Sequence, residues 1–138
     1  KGAILTPNRK EMCMLFGSGG EKWEVDEDTR SGNEWIRQFA SKHKCIIVHK
    51  NAVTKIYSPS ECVAVFGGNA GMVKGGTGDV LAGLTAALAA KNEPMLAASA
   101  ASWIVKRAAD QLYKKAGFAY NADDLADEVP KVLGEYFR

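Results

Sequence analysis

The sequence predicts an α/β fold built in layers, with helices packed on a sheet. Three observations carry the prediction. Apolar runs of strand length alternate with longer segments of helical periodicity. Their order is strand, helix, helix, strand, hairpin, then three helices. Cys45 to Val48 is an unbroken apolar run, the pattern of a strand covered on both faces. The 138 residues contain no internal repeat and no linker-like stretch, which fits one domain over residues 1–138.

The elements follow in order. Ala3 to Leu5 reads as a strand ended by the turn residues Thr6-Pro7-Asn8. Asn8 and Glu11 have the spacing of a reciprocal cap for a helix running to Phe16 and ended by Gly17 to Gly20. Glu21 to Gly32 is acidic and reads as a loop, with Trp23 capping a core edge. Asn33 is the expected cap of a helix to about Lys42, with Trp35, Ile36 and Phe39 on its inner face. Val53 to Tyr57 and Cys62 to Phe66 alternate around Ser58-Pro59-Ser60 and predict a β-hairpin. Asp79 to about Ala90 is apolar nearly all round, which predicts a buried helix. Pro94 starts a helix reaching about Lys115, whose Ala-rich face permits close packing, and Trp103 on it reads as core, like Trp35. Asn121 caps a last helix, with Asp124 at its third position, and Pro130 is expected to break and restart it. The chain opens with Lys1-Gly2-Ala3-Ile4-Leu5, without an initiator Met and directly in a strand. Natural domains rarely open in that way, which suggests a proteolytic product or a segment boundary.

Composition excludes several classes. A hydrophobic fraction of 46% and a charged fraction of 25% are ordinary for a globular protein. A net charge of +2, with no basic run interleaved with aromatics, argues against nucleic acid. The longest apolar stretch, Val80 to Ala90, is too short for a membrane span, and no signal peptide is evident. Cys13, Cys45 and Cys62 are odd in number and lack CxxC spacing. They read as small buried thiols of a reducing cytoplasm. His43, in the charged Lys42-His43-Lys44 turn, and His49, at a strand end, read as structural.

Chemistry concentrates at the centre of the chain. Six of the twelve residues 67–78 are Gly. Gly75, Gly76 and Gly78 lack Cβ, so the backbone around Thr77 is free to curl its N–H groups toward one point. Those amides precede a helix whose first turn has unpaired donors and partial positive charge. The combination suits an anion, above all phosphate. Asp79 stands in that first turn, where its carboxylate is placed to take a proton from a hydroxyl attacking a phosphoryl group. The helix start also favours the ionised form and so weakens it as a base, leaving positioning to supply most of the effect. Lys74 has two readings, a phosphate contact or a solvated side chain. Two nucleotide motifs are excluded. Lys74 is followed by Gly75 rather than Ser or Thr, and Gly76-Thr77-Gly78 is followed by Leu81 where a third Gly is required.

The Gly-Thr-Gly-Asp segment ending at Asp79 resembles the anion hole and catalytic Asp of the ribokinase-like superfamily, and Asn8-Arg9-Lys10-Glu11 resembles its Asn-x-x-Glu motif. Lys50-Asn51-Ala52-Val53-Thr54-Lys55-Ile56, then Gly68-Asn69-Ala70-Gly71-Met72, then GGTGDVLAG is similar to the ADP- or ATP-dependent NAD(P)H-hydrate dehydratases, from Leu5 to about Leu133. The resemblance implies a layered α/β/α fold and repair of NAD(P)HX, the hydrated form of NAD(P)H. Phosphorylation of its hydroxyl is followed by loss of phosphate. Asp79 would be the base and contact substrate, and Asn8 would lie near the hydrated nicotinamide. Gly78 and the segment Lys50, Asn51, Ala52, Val53, Thr54 would contact the adenine nucleotide, and Gly75, Gly76, Thr77 and Gly78 would form the anion hole. Glu11 would act on Mg2+ through water. Against the family this chain would be the C-terminal portion of the domain, expected as a homo-oligomer or in association with the family's N-terminal half. Three departures stand out. Asn8-Arg9-Lys10-Glu11 replaces a bacterial His-Pro-Gly-Glu, Asn51 replaces a usual Gly, and Trp103-Ile104-Val105-Lys106 stands where Leu-His-Gly is common. A ribokinase-like kinase of another small molecule, and a non-catalytic nucleotide-binding fragment, are the alternatives.

Overall fold

The protein, described from a computed structural model, is defined over residues 2–16 and 30–136. Four strands form one sheet in the order β1-β2-β3-β4: β1 Ile4–Leu5, β2 Ile46–His49, β3 Thr54–Tyr57 and β4 Cys62–Val65. β1 pairs parallel to β2, with Ile4 opposite Ile46. β2–β3 and β3–β4 are antiparallel, with Val48 opposite Ile56 and Ile56 opposite Val63. The α-helices are α1 Arg9–Phe16, α2 Arg30–His43, α3 Thr77–Ala89, α4 Pro94–Ala116 and α5 Ala122–Tyr136. A short 3-10 turn spans Ala70–Met72.

Side chains of a strand alternate between faces, and here that alternation sorts two cores. Ile46, Val48, Ile56 and Val65 face α3, α4 and α5, joining Leu81, Ala98, Ala101, Val105, Ala108, Leu125 and Val132. Ile47 and Tyr57 face α1 and α2, joining Met12, Ile36 and Ala40. The result is the expected three-layer α/β/α arrangement, with β2 buried at all four positions. The hairpin forms as predicted.

Both predicted reciprocal caps are present. The Asn8 amide donates to Glu11 Oε2 (2.7 Å), and the Glu11 amide to Asn8 Oδ1 (2.9 Å). At α5 the Asn121 amide donates to Asp124 Oδ2 (2.8 Å), and the Asp124 amide to Asn121 Oδ1 (3.0 Å).

Several expectations are corrected. α2 begins at Arg30, so Asn33 lies inside it rather than capping it. Its side chain instead accepts from Lys55 Nζ (3.0 Å) and from the Tyr57 hydroxyl, a tertiary use that local sequence does not reveal. Pro130 does not break α5. It sits exposed within a continuous helix, which Leu125, Val129 and Val132 hold against the core despite the lost backbone donor. Trp35 and Trp103 are 50% and 40% exposed; Trp103 stacks edge-on against Tyr136 (ring centroids 5.0 Å apart) instead of entering the core. α3 is buried only along Thr77, Leu81 and Thr85, because α4 and α5 cover one side of it. Cys45 is buried, Cys13 half-buried and Cys62 exposed; all three are free thiols. His43 is exposed beside Phe39, and His49 is buried at the end of β2. The acidic run Glu21 to Asp28, with Trp23 and the stop at Gly17 to Gly20, lies outside the described residues. Among the described residues no helix is long and apolar enough to cross a membrane.

β1, β2 and β4 point the same way, so the turns after them emerge at one edge of the sheet. These turns hold Thr6–Asn8, Lys50–Val53 and Gly67–Gly76. Open α/β sheets place ligands at the carboxyl ends of their strands for this reason.

Candidate nucleotide site at the mouth of α3

A cleft of about 960 Å³ opens at that edge, at the upper end of the size range for a bound cofactor. Asn8, Glu11, Lys50, Asn51, Ala52, Thr54, Gly75, Gly76, Thr77, Gly78 and Asp79 all line it. Three separated stretches of chain, each singled out in the sequence, therefore meet in one cavity. Val53 is half-buried and is not among the lining residues.

The loop entering α3 owes its shape to glycine. Gly76 caps the helix in the left-handed region (φ +88°), and a Cβ there would come 2.8 Å from Ala122 Cβ. Its carbonyl accepts from the Asp79 amide (3.0 Å) and the Val80 amide (3.2 Å), closing the first turn. The N–H groups of Gly75, Gly76 and Gly78 donate to nothing among the described residues. Thr77 differs from its glycine neighbours. Its amide turns to the Lys74 carbonyl (3.5 Å), and its buried hydroxyl lies against the carbonyls of Met72 (2.7 Å) and Lys74 (2.9 Å). It braces the loop from inside.

The charges sit around these amides. Asp79 is exposed to the cleft and its carboxylate has no hydrogen-bond partner among the described residues. Lys50 Nζ lies so close to Gly78 that a Cβ added there would be 3.3 Å from it. Burial pulls the Lys50 pKa below the ordinary lysine value, and the carboxylates of Glu11 and Asp79 partly restore it. The ammonium thus stands within the field of both acids, at the helix mouth, with no hydrogen bond or ion pair of its own among the described residues. Asn8 Oδ1 and Glu11 Oε2 are committed to the cap, which leaves Asn8 Nδ2 and Glu11 Oε1 uncommitted. Lys74 follows neither reading. Its Nζ donates to the carbonyls of Phe118 and Tyr120 (the latter at 2.5 Å) and lies 5.1 Å from the Tyr120 ring centroid, tying the loop to the start of α5.

Other residues that shape the cleft were given no role of their own in the sequence, although Asn69 and Lys106 lie in segments compared with the family there. Asn69 Oδ1 accepts from the Gly71 amide (3.0 Å) and the Tyr120 hydroxyl (2.7 Å), and its Nδ2 donates to the Ala109 carbonyl (2.9 Å). From α4, Lys106 and Asp110 reach the same loop. The available signal was Lys106 at helical spacing from Ser102, Ala98 and Ala109, on the apolar face of α4.

Known proteins resemble this chain in sequence and in fold. Residues 1–131 match the family described as NAD(P)H-hydrate dehydratase. The chain is 35% identical over 130 residues to the bifunctional NAD(P)H-hydrate repair enzyme Nnr of Archaeoglobus fulgidus, covering 94% of this chain and 25% of that protein. Its fold superimposes on ADP/ATP-dependent NAD(P)H-hydrate dehydratase from Bacillus subtilis, co-crystallized with ATP/Mg2+ and soaked with CoA. The TM-score is 0.81 at 25% identity, covering 97% of this chain and 49% of that one. A ribokinase-like superfamily protein from Enterococcus faecalis gives a TM-score of 0.76 at 28% identity, covering 96% of this chain and 44% of that one. The chain therefore spans a quarter of the bifunctional relative and just under half of the solved structures. On sequence and on fold, it belongs to the NAD(P)H-hydrate dehydratase family, in the ribokinase-like α/β/α architecture.

Proposed function

We propose that this chain provides the nucleotide and phosphoryl-transfer side of an ADP- or ATP-dependent NAD(P)HX dehydratase. The observation that carries the reading is the meeting of three unpaired glycine amides, an unpaired ammonium and an uncommitted carboxylate in one cleft. Phosphoryl transfer needs little covalent help from a protein; positioning and charge stabilisation do most of the work. The Gly75, Gly76 and Gly78 amides and Lys50 would hold the transferring phosphoryl group. Lys50 to Thr54 would hold the nucleotide. Asp79 would orient the hydroxyl of NAD(P)HX and accept its proton as the oxygen attacks phosphorus. With AMP or ADP released as the leaving group of that transfer, cleavage of the new carbon–oxygen bond, together with loss of a proton from the adjacent ring carbon to water, would release phosphate and restore the ring double bond of NAD(P)H. Asn8, with Nδ2 uncommitted, would face the hydrated nicotinamide.

The cleft also fits Mg2+. Its acidic lining residues are Glu11 and Asp79, and among the described residues no cluster of three ligating side chains forms. That suits a cation that keeps its waters and arrives on substrate phosphates, with Glu11 acting through water. Bound Mg2+ would neutralise phosphate charge. The reading further takes the chain to act in the cytoplasm, as a homo-oligomer or joined to the N-terminal portion of the fold. Its coverage of under half of the solved relatives supports the second.

The test is regeneration of NAD(P)H from NAD(P)HX with Mg2+ and ADP or ATP. It is run on this chain alone and joined to the N-terminal half of a family member. Asp79→Asn is expected to abolish turnover. Because the carboxylate has no hydrogen-bond partner, the variant should lose only about 0.3–1 kcal/mol of stability from the helix start. Undiminished turnover in Asp79→Asn would remove Asp79 from the reaction. Phosphorylation of a stable alcohol, with NAD(P)HX untouched, would favour the small-molecule kinase reading.

A further inference from the structure

The cleft contains a buried cation that this chemistry does not use. Lys106 on α4 is 5% exposed, and burial lowers its pKa while Asp110 partly restores it. A buried ammonium is tolerated only when its protons are satisfied. Here Nζ donates to the carbonyls of Ala52 (2.8 Å) and Gly67 (2.8 Å), with that of Asn51 at 3.4 Å. One helical turn further, Asp110 Oδ2 accepts from the Gly68 amide (3.0 Å). The carbonyl of Gly67 and the N–H of Gly68 belong to the same peptide group. A Lys/Asp pair four residues apart on one helix therefore grips both polar ends of one peptide unit and fixes its plane. The unit is unusual in itself. Gly67 and Gly68 are both left-handed (φ +98° and +77°), and a Cβ on Gly68 would come 2.7 Å from Met72 Sδ and 3.0 Å from Lys106 Cγ. The same ammonium reaches across to the Asn51–Ala52 segment on the other wall.

We propose that Lys106, working with Asp110, is the positioning residue of the nucleotide site. By holding the Asn51 and Ala52 carbonyls and the Gly67–Gly68 peptide on one ammonium, it sets the separation of two walls of the cleft, the nucleotide-contacting segment after β2 and the start of the glycine-rich loop after β4. This inference rests on the nucleotide reading above. A lysine that merely fills the core would leave ligand affinity alone once the chain is folded, and that difference is measurable.

The experiment is calorimetric titration of ADP and ATP, with Mg2+, onto wild type, Lys106→Met and Leu125→Ala, each well below its own Tm. Lys106→Met keeps the length of the stem and removes the donors. Leu125→Ala removes core volume on α5, away from the cleft, as a control for general destabilisation. The expected result is nucleotide affinity lower by about tenfold or more in Lys106→Met, against a change within about twofold in Leu125→Ala despite its lower Tm. Lys106→Gln, which keeps an amide donor, should fall between wild type and Lys106→Met, and it carries the test if the Met variant does not fold. Affinity in the Lys106 variants no weaker than in Leu125→Ala overturns the positioning role alone. If the wild type binds neither nucleotide, the nucleotide reading falls and takes the positioning role with it.

Discussion

At the scale of single residues, the site depends on what is missing. Gly76 has no side chain because its backbone is left-handed and Ala122 fills the space a Cβ would need. Gly76→Ala should cost roughly 1–3 kcal/mol from the backbone conformation alone, more with the clash. Chemical denaturation of the two proteins measures it, and a loss below about 0.5 kcal/mol would mean the loop relaxes freely. Gly75 to Asp79 were legible in the sequence because helix-start chemistry is local: the donors, the dipole and the acid lie within five consecutive residues. Lys106 and Asp110 were not, because their partners lie 39 to 55 positions away. Lys74 shows the same limit. It sits beside the loop in sequence, yet the carbonyls of Phe118 and Tyr120 claim it.

At the scale of elements, boundaries written in short-range signals were readable and those set by tertiary contacts were not. Asn8 with Glu11 and Asn121 with Asp124 are caps closed within four residues, and both form. Asn33 has similar local chemistry but serves Lys55 and Tyr57 across the layer instead. Pro130 would end an isolated helix; packed against α4, α5 tolerates it. The α4–α5 contact also contains a buried acid. Glu128 accepts from Lys115 on α4 and from Lys131 one turn on. Burial alone would raise its pKa, but the hydrogen bonds from the two lysines outweigh burial and hold it below the ordinary value. A depressed folded-state pKa stabilises the protein above the unfolded value and ceases to do so as pH falls through the folded one. Glu128→Gln should therefore cost about 1 kcal/mol near neutral pH, since both lysines stay largely solvated. The cost should shrink as pH falls below the ordinary glutamate range and through the depressed folded-state value. Thermal denaturation of both proteins from neutral to acid pH tests this, and a cost that does not fall on acidification would contradict it.

At the scale of the whole molecule, the order of elements along the chain and the hairpin were evident in the sequence, but the strand order in the sheet and the placing of the two cores were not. Among the described residues, the face under α3, α4 and α5 has sixteen buried residues in its core, against six under α1 and α2. Local opening tracks buried apolar contact. Amide hydrogen exchange should thus be slowest in α4 and faster in α2, and equal protection of both would argue that the layers open as one unit. The same sheet brings the turns after β1, β2 and β4 to one edge, so sequence stretches some 45 and 70 residues apart become one site. The most direct test is a two-dimensional NMR titration of the chain with ADP and Mg2+, following backbone amides. If the mouth of α3 is the phosphate site, the Gly75, Gly76 and Gly78 signals move most, together with those of residues 50–54. If nucleotide binds while those three glycine amides stay in place, the anion site lies elsewhere and the account fails.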